Sequence, residues 1–304
     1  MKLGRRFRRA RRRFTFVSLR RLLRLAGLAR ARTIGNVLGE LQFHLARPQR
    51  LRMQREVAVA LGRSSDDPAV PALLREAYRV NNGAVLEIVS MFDQRHDEDE
   101  LAAMCELDGL EHLRAAMTAG RGAILLATHM GNAALVPVRL AKAGWSVSVV
   151  YREARMMSAG FLQSGFELYG IQGILANAGI RAYAQMLSAL KQGRVVFVML
   201  DQGVKRAEDG QMQRFLGKDM AMPAGPAQLA RASRAPVLPL VTTAASPKWK
   251  FSIEPPVPLG QGSLESDVQT LVALTERQIL QAPHLWSWHH RRWCKRPLAP
   301  DLVA

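Results

Sequence analysis

From residue 121 onward, strand-like and helix-like patterns alternate along the chain, and this alternation constrains the fold more than any other feature of the sequence. It is typical of an α/β domain with a mainly parallel central sheet covered by helices. Strands are predicted over 123–128, 145–151, 171–175, 194–200, 236–242 and 249–254. Helices are predicted over 133–143, 155–169, 179–192, 223–234 and 264–281.

The first of these strands ends at His129, and a Gly131-Asn132 turn follows. Asn132 is predicted to be the N-cap of the next helix. His129 then lies at the carboxyl end of a strand and faces a helix N-terminus, where ligands bind in open α/β sheets. An imidazole titrates near neutral pH and is suited to general-base catalysis. The alternative is a strand-end histidine that is hydrogen-bonded within its own turn.

The charge of the chain is concentrated at its N-terminus. Of the 43 Lys and Arg residues, 13 lie in residues 1–33, and the first carboxylate is Glu40. Such a segment predicts a polyanionic partner, either nucleic acid or an anionic membrane surface. The apolar stretch Phe14–Leu28 is short and contains three arginines, so we expect a basic amphipathic helix on the membrane surface and no nucleic acid. The sequence predicts an attachment segment over 1–33 and a catalytic-type domain over 34–304.

The start of that domain, residues 34–119, reads as a helical entry to the sheet. Residues 34–92 are predicted to be helical, and residues 93–100 form an acidic turn that caps a helix over 101–118. Glu87 is interpreted as a helix-surface residue or a partner at the edge of the core. The two cysteines lie far apart, so neither a zinc site nor a disulfide framework is indicated. No glycine-rich phosphate loop follows a strand, which argues against a nucleotide cofactor.

Four motifs occur in an order that resembles one known family. They are His129-Met130-Gly131-Asn132-Ala133-Ala134; Val150-Tyr151-Arg152; the stretch from Asp201-Gln202 through Arg214-Phe215-Leu216-Gly217 to Pro239; and Trp286-Ser287-Trp288-His289-His290-Arg291-Arg292-Trp293. Together they are similar to the bacterial lipid A biosynthesis branch of the lysophospholipid acyltransferase superfamily. Each motif alone is weak, but their order is unlike a chance match.

The resemblance implies a glycerol-3-phosphate-acyltransferase-like fold and a direct transfer of a fatty acyl chain. The donor would be acyl-carrier protein or acyl-CoA, no other cofactor or metal is needed, and the acceptor would be a hydroxyl of a glycolipid or phospholipid such as a lipid A precursor. His129 would be the general base. The implied location is peripheral, on the cytoplasmic face of a bacterial inner membrane. The implied substrate-binding residues are Gly131, Asn132, Arg152, Gln202, Arg214, Arg291 and Arg292.

One residue departs from the family pattern. The family's motif has an acid five residues after the histidine, and this chain has Ala134 there. Removing the carboxylate from a comparable catalytic triad costs about 10⁴ in rate. Three readings stay open: Asp201 reaches His129 from a neighbouring strand end, the enzyme is slow or inactivated, or the protein is a non-catalytic relative that binds anionic lipid.

Overall fold

The computed structural model describes residues 2–153, 157–158, 160–204 and 207–290, without the side chains of residues 2–13 and 207. Its helices are α1 (Lys2–Ala26), α2 (Leu28–Leu45), α3 (Arg47–Ala60), α4 (Ala69–Asp93), α5 (Glu98–Met104), α6 (Leu110–Met117), α7 (Leu135–Lys142), α8 (Phe161–Leu168), α9 (Ile180–Lys191), α10 (Gly225–Ser233) and α11 (Leu264–Gln281). Its strands are β1 (Cys105–Asp108), β2 (Ala123–Ala127), β3 (Val147–Tyr151), β4 (Gln172–Leu175), β5 (Val195–Met199), β6 (Gln211–Phe215), β7 (Lys218–Met222), β8 (Val237–Ala244) and β9 (Trp249–Ile253).

The central sheet has the strand order β1-β9-β8-β2-β5-β3-β4. Every neighbouring pair is parallel except β8 with β9. All five residues of β2, the middle strand, are buried, which explains their uninterrupted apolar sequence. The prediction of an α/β domain with a mainly parallel central sheet is therefore confirmed.

The six strands predicted after residue 121 all form, with ends that differ from the prediction by up to two residues. The predicted helix over 155–169 is shorter in the structure, because α8 begins only after Gly160, whose φ is 76°. The hairpin of β6 and β7 was not predicted. Its turn places Leu216 and Gly217 at positive φ, and the sequence around it carries no regular alternation.

The helical entry differs from the prediction in one important place. The single helix predicted over 101–118 is wrong, since the chain leaves α5 to form β1, which pairs in parallel with β9 and completes the sheet edge. Gly109 at φ 77° then starts α6. The acidic turn does act as a cap: Asp97 accepts from the Glu100 backbone N–H in a capping box at the start of α5. Farther upstream, α2 runs without a break across the expected boundary at residue 33.

The helix α1 lies against the body of the domain. Phe16 and Leu23 are buried in the core, and the Arg20 and Arg24 guanidinium groups both pair with the Asp93 carboxylate at the end of α4. Within the part of the chain that the structure describes, no helix combines the length and the apolar character needed to cross a bilayer.

Candidate functional site

The register of β2 against β5 brings together two polar residues that are far apart in the sequence. Ala127 and Met199 are direct partners in the parallel ladder, so the residues two positions beyond each of them, His129 and Asp201, leave the sheet side by side. The two strands are neighbours at the centre of the sheet, and the carboxyl ends of parallel strands are where α/β proteins place their sites.

His129 is hydrogen-bonded on both ring nitrogens. Its Nδ1 lies 2.6 Å from Asp201 Oδ1, and its Nε2 lies 3.1 Å from the Gln202 side-chain nitrogen. Because a carboxylate only accepts, Nδ1 carries the proton and Nε2 presents its lone pair. The side chain of His129 is 28% exposed, whereas that of Asp201 is fully buried.

The Asp201 carboxylate is completely buried and is oriented from its far side. Its Oδ2 accepts from the Trp286 indole N–H at 2.8 Å. Trp286 is itself fixed against Trp288, with ring centroids 4.6 Å apart in an edge-to-face arrangement. The loop between β2 and α7, residues 128–134, is called the histidine loop. The segment around Trp286 also binds this loop through the backbone, since Ser287 N–H donates to the His129 carbonyl at 2.9 Å. The C-terminal tryptophan motif therefore holds both members of the pair.

The opposite side of the same loop is held by a second buried carboxylate. Gly131 has φ 55° and lies against the Trp249 ring, which leaves no room for a Cβ atom. The next residue, Asn132, donates through its side-chain nitrogen to Glu87 at 3.1 Å. The Trp249 indole N–H donates to the same Glu87 oxygen at 2.6 Å, and the Arg32 guanidinium donates to the other.

Glu87 is only 2% exposed, so the interpretation of this residue as a surface or core-edge glutamate is wrong. Burial raises the pKa of the Glu87 carboxyl, and the donors Arg32, Trp249 and Asn132 offset part of that rise. Arg32 also stacks over the Trp249 ring at 4.6 Å from its centroid. The four residues form a compact polar cluster behind the loop, joining α2, α4 and β9 to Asn132.

This cluster explains why Asn132 is not the helix N-cap that the sequence predicted. Its side chain is engaged by Glu87, and the helix begins two residues later with Ala134 in the cap position and no side-chain cap. The first two helical amides, Leu135 and Val136, donate to the carbonyls of Asn132 and Ala133. These two N–H groups are therefore already used within the turn, although helix N-termini often bind anions.

Two polar atoms beside His129 are buried without a hydrogen-bond partner in the described part of the chain. They are the Thr128 hydroxyl oxygen and the Asn132 side-chain oxygen. Buried polar atoms normally have a hydrogen-bond partner, so two such atoms without one within three residues of a candidate base are unusual. Thr128 directly follows β2, and Asn132 belongs to the turn before α7.

The predicted arginines have different surroundings. Arg152 follows β3, two strands from β2 at the same edge of the sheet, and is exposed. Arg214 lies on the β6–β7 hairpin, where it is 71% exposed and within 3.7 Å of Asp219. The expectation for Arg291 and Arg292 lies outside the described residues.

One ring near the site was not predicted to act there. The His290 ring lies 5.0 Å from the His129 ring, centroid to centroid. The sequence quoted His290 only as part of the C-terminal motif, and only the folded return of that segment places it beside the loop. Among the described residues, no group of three or more His, Cys, Asp or Glu side chains is arranged to hold a metal ion.

Comparison with known proteins identifies the family of the chain. The sequence model described as "Bacterial lipid A biosynthesis acyltransferase" matches residues 2–295. Phosphatidylinositol mannoside acyltransferase of Mycobacterium tuberculosis H37Rv is 28% identical over 192 residues, which are 62% of this chain and 59% of the relative. The protein of that name from Mycolicibacterium smegmatis is 26% identical over 204 residues, 65% of each chain. This chain thus spans less than two thirds of these curated relatives. Because the family model matches nearly the whole chain, the chain belongs to the bacterial lipid A biosynthesis acyltransferase family.

Proposed function

We propose that this protein transfers a fatty acyl chain from a thioester donor to a lipid hydroxyl, with His129 as the general base. The donor is acyl-carrier protein or acyl-CoA. The observation that carries the proposal is the 2.6 Å contact between His129 Nδ1 and the buried Asp201 carboxylate. It supplies the acid that the family motif has at the position of Ala134. Family membership supplies the reaction class.

The proton balance of the reaction follows from this pair. His129 Nε2 takes the proton of the acceptor hydroxyl as its oxygen attacks the thioester carbonyl carbon. Asp201 stabilises the imidazolium that forms and keeps the ring in its productive tautomer. When the tetrahedral intermediate collapses, the C–S bond breaks and the leaving thiolate takes the proton back from Nε2. No acyl-enzyme intermediate is required.

Gln202 has to move for this reaction to start. Its side-chain nitrogen now donates to His129 Nε2 at 3.1 Å, which is the position that the acceptor hydroxyl needs. Rotation of the amide frees Nε2 and leaves two N–H donors near the reacting carbonyl. Donors at that place stabilise the developing oxyanion.

The acceptor is proposed to be an anionic glycolipid or phospholipid, such as a lipid A precursor. The family description and the names of the relatives both point to glycolipid acceptors. Arg152 leaves the sheet at the same edge as His129, which supports a role in binding a phosphate, and we assign Arg291 and Arg292 the same role. Gly131 and Asn132 shape the loop. Arg214 is a largely exposed cation on the β6–β7 hairpin, next to Phe215, whose ring lies 6.4 Å from the Trp286 ring, and we assign it a contact with the acceptor headgroup. The enzyme is proposed to work peripherally on the cytoplasmic face of the inner membrane.

The test is acyl transfer by the purified protein, with both thioester donors and a panel of glycolipid and phospholipid acceptors. Wild-type protein should acylate at least one acceptor, and the His129→Ala variant should not. Activity that survives in His129→Ala contradicts the general-base assignment. If the wild type binds an acceptor without turning it over, the alternative of a non-catalytic lipid-binding relative, which Ala134 favours, replaces this proposal.

A further inference from the structure

After its first residue, Leu28, the helix α2 buries small residues and exposes large apolar ones. The buried side consists of Leu28, Ala31, Gly35 and Gly39. Gly35 lies against the backbone of α4 at Asn82, and Gly39 lies against it at Tyr78, with no space for a Cβ at either position. The two helix backbones therefore touch directly, as they do at helix contacts built from small residues.

The outward side of α2 carries a continuous apolar stripe. Val37, Leu38, Leu41 and Leu45 are 57%, 41%, 52% and 81% exposed, and with the half-buried Ile34 they follow the spacing of one helical face. We call these four residues the α2 apolar face. A helix on the surface of a globular protein normally turns such a stripe toward the core. Exposed apolar patches of this kind mark binding surfaces.

Charge indicates what this surface binds. Arg30 lies on the same side of α2 and is exposed. The adjoining helix α1 belongs to the segment with 13 cations and no acid, and its Phe14 and Leu25 are 75% and 86% exposed. A combination of exposed leucines and arginines matches the boundary between lipid headgroups and acyl chains of an anionic bilayer.

The pairing of Arg20 and Arg24 with Asp93 holds α1 on the protein body beside α4, to which α2 is also bound. Both helices are therefore held by α4. We propose that the α2 apolar face inserts into the surface of an anionic membrane, so that the attachment region extends past residue 33 to residue 45. The biological purpose rests on the proposed acyl transfer, whereas membrane binding itself needs no turnover.

The experiment measures sedimentation of the full-length protein with vesicles of phosphatidylcholine, with and without phosphatidylglycerol. In the test variant, Val37, Leu38, Leu41 and Leu45 are all replaced by Ser. Its binding to the anionic vesicles should fall about tenfold or more, since each side chain loses its contact with the acyl region. The control is the double variant Ile180→Ser and Met212→Ser, whose parent residues are 82% and 45% exposed on other elements. It should bind as the wild type does.

Equal binding by the four-serine variant and the wild type overturns the proposal. So does a wild type that is dimeric without lipid and becomes monomeric in the four-serine variant, because the face would then join two copies of this chain. Thermal unfolding checks that all variants are folded, which is expected for exposed positions. Acyl transfer to an acceptor dispersed in detergent should persist in the four-serine variant. A protein that binds vesicles through α2 but transfers no acyl group would contradict the proposed function and leave this inference standing.

Discussion

Two buried carboxylates hold the histidine loop from opposite sides, with similar hydrogen-bond donors but different charged partners. Asp201 and Glu87 each accept an indole N–H, from Trp286 and Trp249 respectively, and each binds one polar side chain of the loop. Glu87 also accepts from the permanent cation of Arg32, whereas Asp201 faces His129, whose charge changes during the proposed reaction. The same arrangement therefore holds a fixed charge at Glu87, the clamp of the loop, and in the proposed reaction it meets a changing charge at Asp201.

The largest difference should appear when Asp201 loses its charge. Asp201→Asn should lower kcat by about 10⁴, nearly as much as loss of His129, because the amide neither stabilises the imidazolium nor enforces the tautomer. Steady-state acyl transfer measures this effect. The matched control is Asp267→Asn on α11. Asp267 is another buried aspartate, and it pairs with Arg231 of α10. A comparable loss of kcat in both variants would mean that Asp201 acts only through stability.

A smaller effect is expected from the two tryptophans, which form a natural pair of probes. Trp286→Phe and Trp249→Phe each remove one N–H donor from a buried carboxylate, and each should cost about 1–3 kcal/mol in the free energy of unfolding. Only Trp286→Phe should also reduce kcat strongly, by about tenfold, which corresponds to about 1.4 kcal/mol. Denaturant titration and acyl-transfer kinetics on both variants measure the split. Equal kinetic losses would show that the two sides of the loop are equivalent.

The variant Glu87→Gln tests the contacts of Glu87 with Arg32, Trp249 and Asn132. Breaking a buried ion pair from one side leaves the Arg32 charge uncompensated, so the free energy of unfolding should fall by about 3–5 kcal/mol. The kcat of the folded fraction should change only a few-fold. Adding Arg32→Met should recover part of the lost stability, since the uncompensated charge is then removed. A double variant that is less stable than Glu87→Gln would argue that Arg32 contributes mainly through its contact with the Trp249 ring.

The smallest effect on activity is expected at Ala134, where the sequence motif was expected to carry an acid. Because Asp201 already occupies His129 Nδ1, Ala134→Glu should not raise acyl transfer, and crowding of the partly buried position should cost about 1–3 kcal/mol of stability. The same assay decides. A marked rise in kcat would indicate that the present pair is incomplete and that the loop still accepts the family's acid.

The sequence predicted one half of this comparison and missed the other. Asp201 was a candidate because it ends a strand predicted to lie beside the strand of His129, and parallel register then fixes their proximity. Glu87 could not be assigned in the same way, since its partners lie 45 and 162 residues away on elements whose packing no local pattern encodes. Asn132 was predicted to be the helix N-cap because capping follows a local sequence rule. In the structure, its side chain instead binds Glu87, a contact that no local rule predicts.

The direct backbone contact of α2 with α4 has a mechanical consequence for where chemistry takes place. Gly39 touches α4 at Tyr78, and Glu87 follows nine residues later, about 14 Å along the same helix axis. Because α2 and α4 are in direct backbone contact, α4 links the face proposed to enter the membrane to the loop that carries His129 at a defined distance. The reactive nitrogen would then stand at a set depth relative to the bilayer. The enzyme would then choose among the hydroxyls of one lipid headgroup by their distance from the bilayer surface as well as by the shape of the headgroup.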